Sequence, residues 1–593
     1  MGTPAPPDED GQGPLYGVWG RRINLAVFAT ALALALSGAA AAQRLHLPGR
    51  GEPAITAQTQ RSGGVRPPEQ AAIRLVSAEL WFELDPMRRA LTARARLVVR
   101  ASATVPRLLL DLDSNYAVRS VRVDGRVLPA TSVERPDGQL ALALPLTKDA
   151  TAAVDITYGG TPHVAVNAPW DDGIVWSTTP DGHPWIATTT EGYGCDLLWP
   201  CLDFPEGEPG EALLHITAPQ GLKAPSNGRL LGVDALPDGR SVWHWRARQP
   251  NTYAIAINLG PYEVIEGRYR SRYGNEIPLA YWYLPGEEAQ ARALFAEFAP
   301  TLDFFETVIG PYPFGDEKLG VVETPHKGME HQTINAYGNG YAKAPEGFDW
   351  LFHHELSHEW FGNQLTAANW DDYWLHEGFG SYMQPLYGRW REGEARYAVM
   401  LEAQRNQIAN RAPVVRDRVL TEEEVYEPAK GGAGTDIYYK GSWTLHTLRW
   451  LIGDAAFYES VRRLIYGRPD PRPGNFRPRY GSTRDFEAIV ARVTGKDYRW
   501  FFDTYLRDRA LPELLATRDG DVLRLAWKTE RQRAFAMPIE VQVGERVRRV
   551  AVPGEVRVPA GAHVTIDPAA RVLRRSVAVE EYQAWRARPT TSR

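Results

Sequence analysis

A chain of 593 residues with 44% hydrophobic and 23% charged side chains has the make-up of an ordinary soluble globular protein, long enough for about three to four domains. Its 67 basic and 72 acidic residues nearly balance, with a formal charge of -5, so it lacks the basic excess that would select nucleic acid or an anionic membrane as partner. Two cysteines, Cys195 and Cys201, cannot carry the fold of a chain this long; after export they would either close a short disulfide loop or stay as two buried thiols.

In chain order, the first pattern is a targeting signal. Arg21 and Arg22 precede an apolar run from Ile23 to Leu36, followed by the small residues Ser37 to Ala42. A basic segment, a short apolar segment and an A-x-A site describe a secretory signal peptide over residues 1–42, and hence an exported, periplasmic or extracellular product. The apolar run is shorter than the ~20 residues that span a bilayer, so no lasting membrane anchor is expected. Residues 43–70 are rich in Gly, Pro, Arg and Gln without apolar periodicity and read as a flexible linker.

Residues 71–267 alternate apolar and polar side chains in short runs bounded by turn residues: LWFEL, ARARLVVRA, RLLLDL, VRSVRVDG, AAVDITYGG, LLHITAP, SVWHWRA and YAIAINLG. This is the pattern of an N-terminal β-sheet domain. The next domain is set at residues 268–512, and from Glu287 its period becomes helical, with apolar residues three and four apart in EEAQARALFAEFAPTLDFFETVIG, DWLFHHELSHEWFGNQL, GSWTLHTLRWLIG and DFEAIVARVTGKDYRWFFDTYLRD. Leu511-Pro512 ends it. Residues 513–577 return to short strands and predict a small C-terminal β domain, with 578–593 as a tail. The fold class expected is multidomain α+β.

Within the helical region stands His354-Glu355-Leu356-Ser357-His358. Residues four apart lie ~40° apart around a helix, so both imidazoles face one point, while Glu355 on the adjoining face can reach a metal-bound water. His353 and His358, five apart, diverge by ~140° and are the poorer pair, which leaves His353 to packing. A catalytic zinc takes three protein ligands and keeps a fourth position open. Glu377, nineteen residues after His358 and beyond the turn residues Gly362-Asn363, is a candidate third ligand.

HELSHEWFGNQLT followed by WLHEGF resembles the signature of the gluzincin zinc aminopeptidases, the family of aminopeptidase N and the leukotriene-A hydrolase. The resemblance implies a thermolysin-like, mainly helical catalytic domain holding one zinc ion on His354, His358 and Glu377, with Glu355 as general base. Lys327-Gly328-Met329-Glu330-His331 is similar to the family's GAMEN element, with His331 where the family has Asn. It implies that Gly328, Met329 and Glu330 bind substrate, Glu330 through the free α-ammonium group. Tyr438-Tyr439-Lys440-Gly441 resembles the Y-x-K-G element, which makes Tyr438 the donor to the oxyanion. WPCLDFP, residues 199–205, resembles the PCFDEP element and sets Glu191 as a second anchor for the amino group, although Thr189 and Asp196 stand where the family carries Gln and Arg.

The function so implied is zinc-dependent hydrolysis of the first peptide bond of peptides with a free N-terminus. A zinc endopeptidase would leave Glu330 without a purpose. A catalytically inactive peptide-binding protein of the same fold needs a broken ligand, base or oxyanion donor, and none is broken. The preferred first residue is not written in any one segment.

Overall fold

A computed structural model describes residues 51–587, apart from Lys343 and Asn475. The expected signal peptide, the first part of the expected linker and residues 588–593 lie outside the described residues. Among the described residues, no helix is long and apolar enough to cross a membrane.

The alternating segments between residues 73 and 248 build an eight-stranded sheet. From one edge its strands are Arg229–Ala235, Ser241–Arg248, Glu211–Ala218, Ile73–Asp85, Ala90–Ala101, Thr151–Gly160, Tyr116–Val123 and Arg126–Val127. Neighbours are antiparallel except Ile73–Asp85 and Glu211–Ala218, which run parallel. Period-two alternation sends Ala78, Leu80 and Phe82 to one face, where they meet Leu97, Leu214, Ile216 and Ile156 in a closed core. Each large apolar side chain buried there contributes roughly 1.5–3 kcal/mol. YAIAINLG is buried as expected, yet only Asn258–Leu259 joins a ladder.

The expected linker is not loose where it is described. Residues 51–70 lie against the β domain, with Ile55, Thr59, Ser62 and Gln70 buried. Thr59 Oγ1 donates to Asp196 at 2.7 Å, and Gln70 Nε2 donates to Asp111 at 2.6 Å. Polar side chains anchored on buried carboxylates produce no apolar period, which is why the segment reads as linker from its letters.

A five-stranded sheet separates two cores. Its order is Glu263–Arg270, Glu276–Tyr283, Leu319–Glu323, Asn335–Tyr337 and Gly328–Met329, the last pairing on one side only. Along Glu276–Tyr283, Ala280 and Trp282 face the N-terminal core while Leu279, Tyr281 and Tyr283 face the helices. Val322 and Val321 divide the same way. The sheet is thus the wall on which the β domain and the helical region are both built.

The helical stretch after residue 287 is two helices, Glu288–Phe295 and Phe298–Val308, and the last one breaks after Thr494 at Gly495, whose φ is +70°. The strands after residue 512 form two three-stranded sheets. Their Leu523, Met537 and Ile539 belong to the same core as Phe501 and Tyr505, so this β unit extends the helical core instead of enclosing its own. The expected tail begins as a helix, Val577–Arg586, held where Gln583 Nε2 donates to the Ile408 carbonyl at 2.8 Å.

Candidate active site

The HELSH segment is a helix, Trp350–Ser357, with His358 in helical geometry as its C-terminal cap. Asp349 caps its start by accepting from the Phe352 amide at 3.0 Å, and Tyr337 donates to the same carboxylate at 2.7 Å. Leu351, Phe352, His353 and Leu356 are buried, so the helix is fixed on several sides. His353 has no exposed surface and lies among Phe304, Phe305, Phe348 and Tyr387, the packing role expected of it.

A second helix, Trp374–Glu392, brings Glu377 back toward the first. Close approach is possible because Gly380 faces it: a Cβ there would stand 2.7 Å from Ser357 Oγ and 3.5 Å from His358 Cε1. A third helix, Asp436–Ile452, crosses the second at Gly378 and Gly441, where a Cβ on Gly441 would meet Gly378 Cα at 2.9 Å. That glycine contact brings Tyr438 to the site.

His354 Nε2 is 3.3 Å from His358 Nε2 and 3.3 Å from Glu377 Oε2, and His358 Nε2 is 3.8 Å from Glu377 Oε2. Tetrahedral zinc with arms of ~2.0–2.1 Å spaces its ligand atoms roughly 3.3–3.4 Å apart, so this donor set fits the ion. His358 Nδ1 lies 2.9 Å from the Phe361 carbonyl, which fixes the N–H there and leaves Nε2 as a lone-pair donor. Burial lowers the His354 pKa to about 4, opposed by the Glu330 charge, and so keeps that ring neutral. A second cluster of donor atoms, Cys195, Cys201 and Asp203, is closed to a metal because the two sulfurs form a disulfide.

The nine residues singled out from the sequence, Glu191, Gly328, Met329, Glu330, His354, Glu355, His358, Glu377 and Tyr438, line one cleft of about 550 Å³. Glu355 is held well above the usual carboxylate range by burial, then by the charges of Glu330 and Glu377. Gly328 lets its strand pass close to that carboxylate, since a Cβ would lie 2.5 Å from Glu355 Oε1. Tyr438 stacks over the His354 ring, with centroids 6.1 Å apart.

Three residues escaped the sequence. Tyr253, from the N-terminal β domain, donates to Glu330 Oε1 at 3.0 Å, and the charges of Glu330 and Glu191 add to burial in raising its pKa. Thr190, beside Glu191, donates to the Tyr253 carbonyl at 2.8 Å and ties both anchors together. Tyr426 shares a 2.7 Å hydroxyl contact with Tyr438. Asn363, read from the sequence only as a turn residue, donates to the Glu330 carbonyl at 3.1 Å.

Residues 343–505 match the model of the Peptidase family M1 domain. Aminopeptidase N of Streptomyces lividans is 24% identical over 362 residues, 56% of this chain and 40% of that protein. Leukotriene A-4 hydrolase of Xenopus laevis is 24% identical over 339 residues, 54% of this chain and 51% of that protein. The chain therefore spans about half or less of the length of these relatives. An M1 zinc metallopeptidase from Deinococcus radiodurans, solved with a Tyr-Ser-Ala substrate, shares the fold with a TM-score of 0.61 at 21% identity, over 76% of this chain and 98% of that one. Aminopeptidase A of Legionella pneumophila, solved with aspartic acid, gives a TM-score of 0.70 at 16% identity, over 86% of this chain and 60% of that one. The motif residues gathered in one cleft and these likenesses agree with that match, and residues 343–505 carry a Peptidase family M1 domain.

Proposed function

We propose that this protein is a zinc aminopeptidase that hydrolyses the first peptide bond of peptides. The observation that carries the reading is that Glu330 and Glu191, coupled through Tyr253, line the same cleft as a donor triad spaced for zinc. Two carboxylates there match a free α-ammonium group, whereas an internal peptide segment would leave both unpaired in a buried site. This argues against the endopeptidase alternative.

The chemistry that zinc supplies when bound is Lewis acidity, which lowers the pKa of water toward ~7 and polarises a carbonyl. Glu355, with its raised proton affinity, takes the proton from the attacking water and passes it to the leaving nitrogen. Tyr438 donates to the oxygen that gains charge in the tetrahedral intermediate. Glu330 and Glu191 hold the chain end, so the first peptide bond lies over the metal ligands and water need not be ordered anew for each turnover. Metal analysis and turnover of leucyl-coumarin before and after chelation test the assignment. One zinc per chain and activity lost with it are expected, and full activity in metal-free protein would contradict it.

Export remains part of the proposal. The leader-like run at residues 21–42 and the Cys195–Cys201 disulfide, a bond that persists in oxidising compartments, support it. Finding the full-length chain in the cytoplasm of its host, unprocessed, would oppose it.

A further inference from the structure

The cleft is rich in carboxylates, and Lys327 is the one lysine or arginine among the residues lining it. Among the described residues its ammonium group makes no ion pair or hydrogen bond; it rests 5.3 Å from the ring centroid of Trp350, which also lines the cleft. Half-burial lowers its pKa, opposed by the charge of Asp349, so this cation has given up water without receiving a carboxylate at contact distance.

Its position along the chain gives that cation a use. Gly328–Met329 pairs with Asn335–Tyr337 on one side and ends its sheet, leaving the other edge to accept an extended chain. Glu330 follows this strand and Lys327 precedes it, so opposite charges bracket a free sheet edge. A peptide whose ammonium group meets Glu330 and whose backbone pairs antiparallel to the strand carries its C-terminal end toward Lys327. Three residues of extended chain span ~10 Å, the length of a tripeptide and the spacing of these two positions along a strand.

Building on the aminopeptidase reading above, we propose that Lys327 receives the C-terminal carboxylate of the substrate, so that the natural substrates are free-acid tripeptides. The lysine then sorts substrates by length and by the charge at their far end, while Glu330 sorts them by the near end. Longer peptides place an uncharged amide at Lys327 and leave the cation on the Trp350 face.

The test is kcat/KM for Leu-Gly-Gly against Leu-Gly-Gly amide, in the wild type, Lys327→Met and Lys327→Arg, with zinc present. A charge-assisted contact in a half-buried site predicts a preference for the free acid of roughly tenfold, mainly in KM. Lys327→Met should bring the ratio near one and Lys327→Arg should retain most of it. Equal rates on acid and amide in the wild type, or a preference that survives Lys327→Met, would overturn the assignment. Leucyl-coumarin offers no carboxylate, so its turnover by the wild type separates the two failures. Turnover with an acid-to-amide ratio near one sinks only the role of Lys327; no turnover of any uncapped substrate sinks the aminopeptidase reading beneath it.

Discussion

Glu355 sits where its carboxylate is hard to ionise, between burial and the charges of Glu330 and Glu377, beside a histidine kept neutral. A general base there is distinguished from a zinc ligand by a simple substitution. Glu355→Gln should keep stoichiometric zinc yet lower kcat by roughly 10²–10⁴-fold; loss of the metal would reassign the residue as a ligand. Tyr438→Phe should lower kcat by ~10²–10³ with little change in KM. His331 offers a test of burial itself. Its ring has no exposed surface and its pKa is lowered to about 3, mainly by desolvation and secondarily by His326. The unfolded chain takes up a proton as pH falls through ~6.5 while the folded chain does not, so this group costs stability as pH falls from 6.5 toward 3. Between pH 7 and 5 the stability of His331→Asn should therefore gain about 2 kcal/mol relative to wild type. Urea unfolding at the two values measures it, and a pH-independent difference would contradict the neutral buried ring.

The elements explain which parts of the site could be read from letters. His354 and His358 share one helix, so their spacing alone makes them converge. Glu377 lies on another helix, and its arrival depends on Gly380, as that of Tyr438 depends on the Gly378–Gly441 contact, which spacing does not encode. The distance of Glu377 from His358 along the chain made it a candidate third ligand, and the family resemblance selected it. Tyr253 was illegible for a different reason: it opens a run that read only as a strand, and its role arises from a hydrogen bond across 77 positions of sequence. Residues 51–70 misled because their anchors are polar. The strands of the β domain were the most legible part, since one buried face imposes alternation on each. Gly441→Ala tests the helix contact directly. The new Cβ would meet backbone at 2.9 Å, which no rotamer relieves, so the variant should lose about 1–3 kcal/mol of stability. It should also lose turnover, because the helix carrying Tyr438 must shift. Unchanged stability and turnover would mean that the helices approach differently.

At the scale of the whole molecule, the site is assembled from segments far apart in the chain. The metal donors come from the helices, while Glu191 and Tyr253 come from the N-terminal region, with the Tyr253 ring packed in the core that holds the helices. Selection of a chain end is thus a property of the joined units. Tyr253→Phe, which removes the hydroxyl from Glu330 without emptying the core, should raise KM for uncapped peptides several-fold and leave kcat within a factor of about two. A fall in kcat with KM unchanged would place Tyr253 in the chemical step instead. The measurement that bears most directly on the central claim compares leucyl-coumarin with its N-acetyl derivative on the zinc-loaded enzyme. Removing the positive charge from the substrate should lower kcat/KM by at least about 10³-fold, because two buried carboxylates lose their partner. Comparable rates on the two substrates would contradict an enzyme that grips the amino end of its peptide.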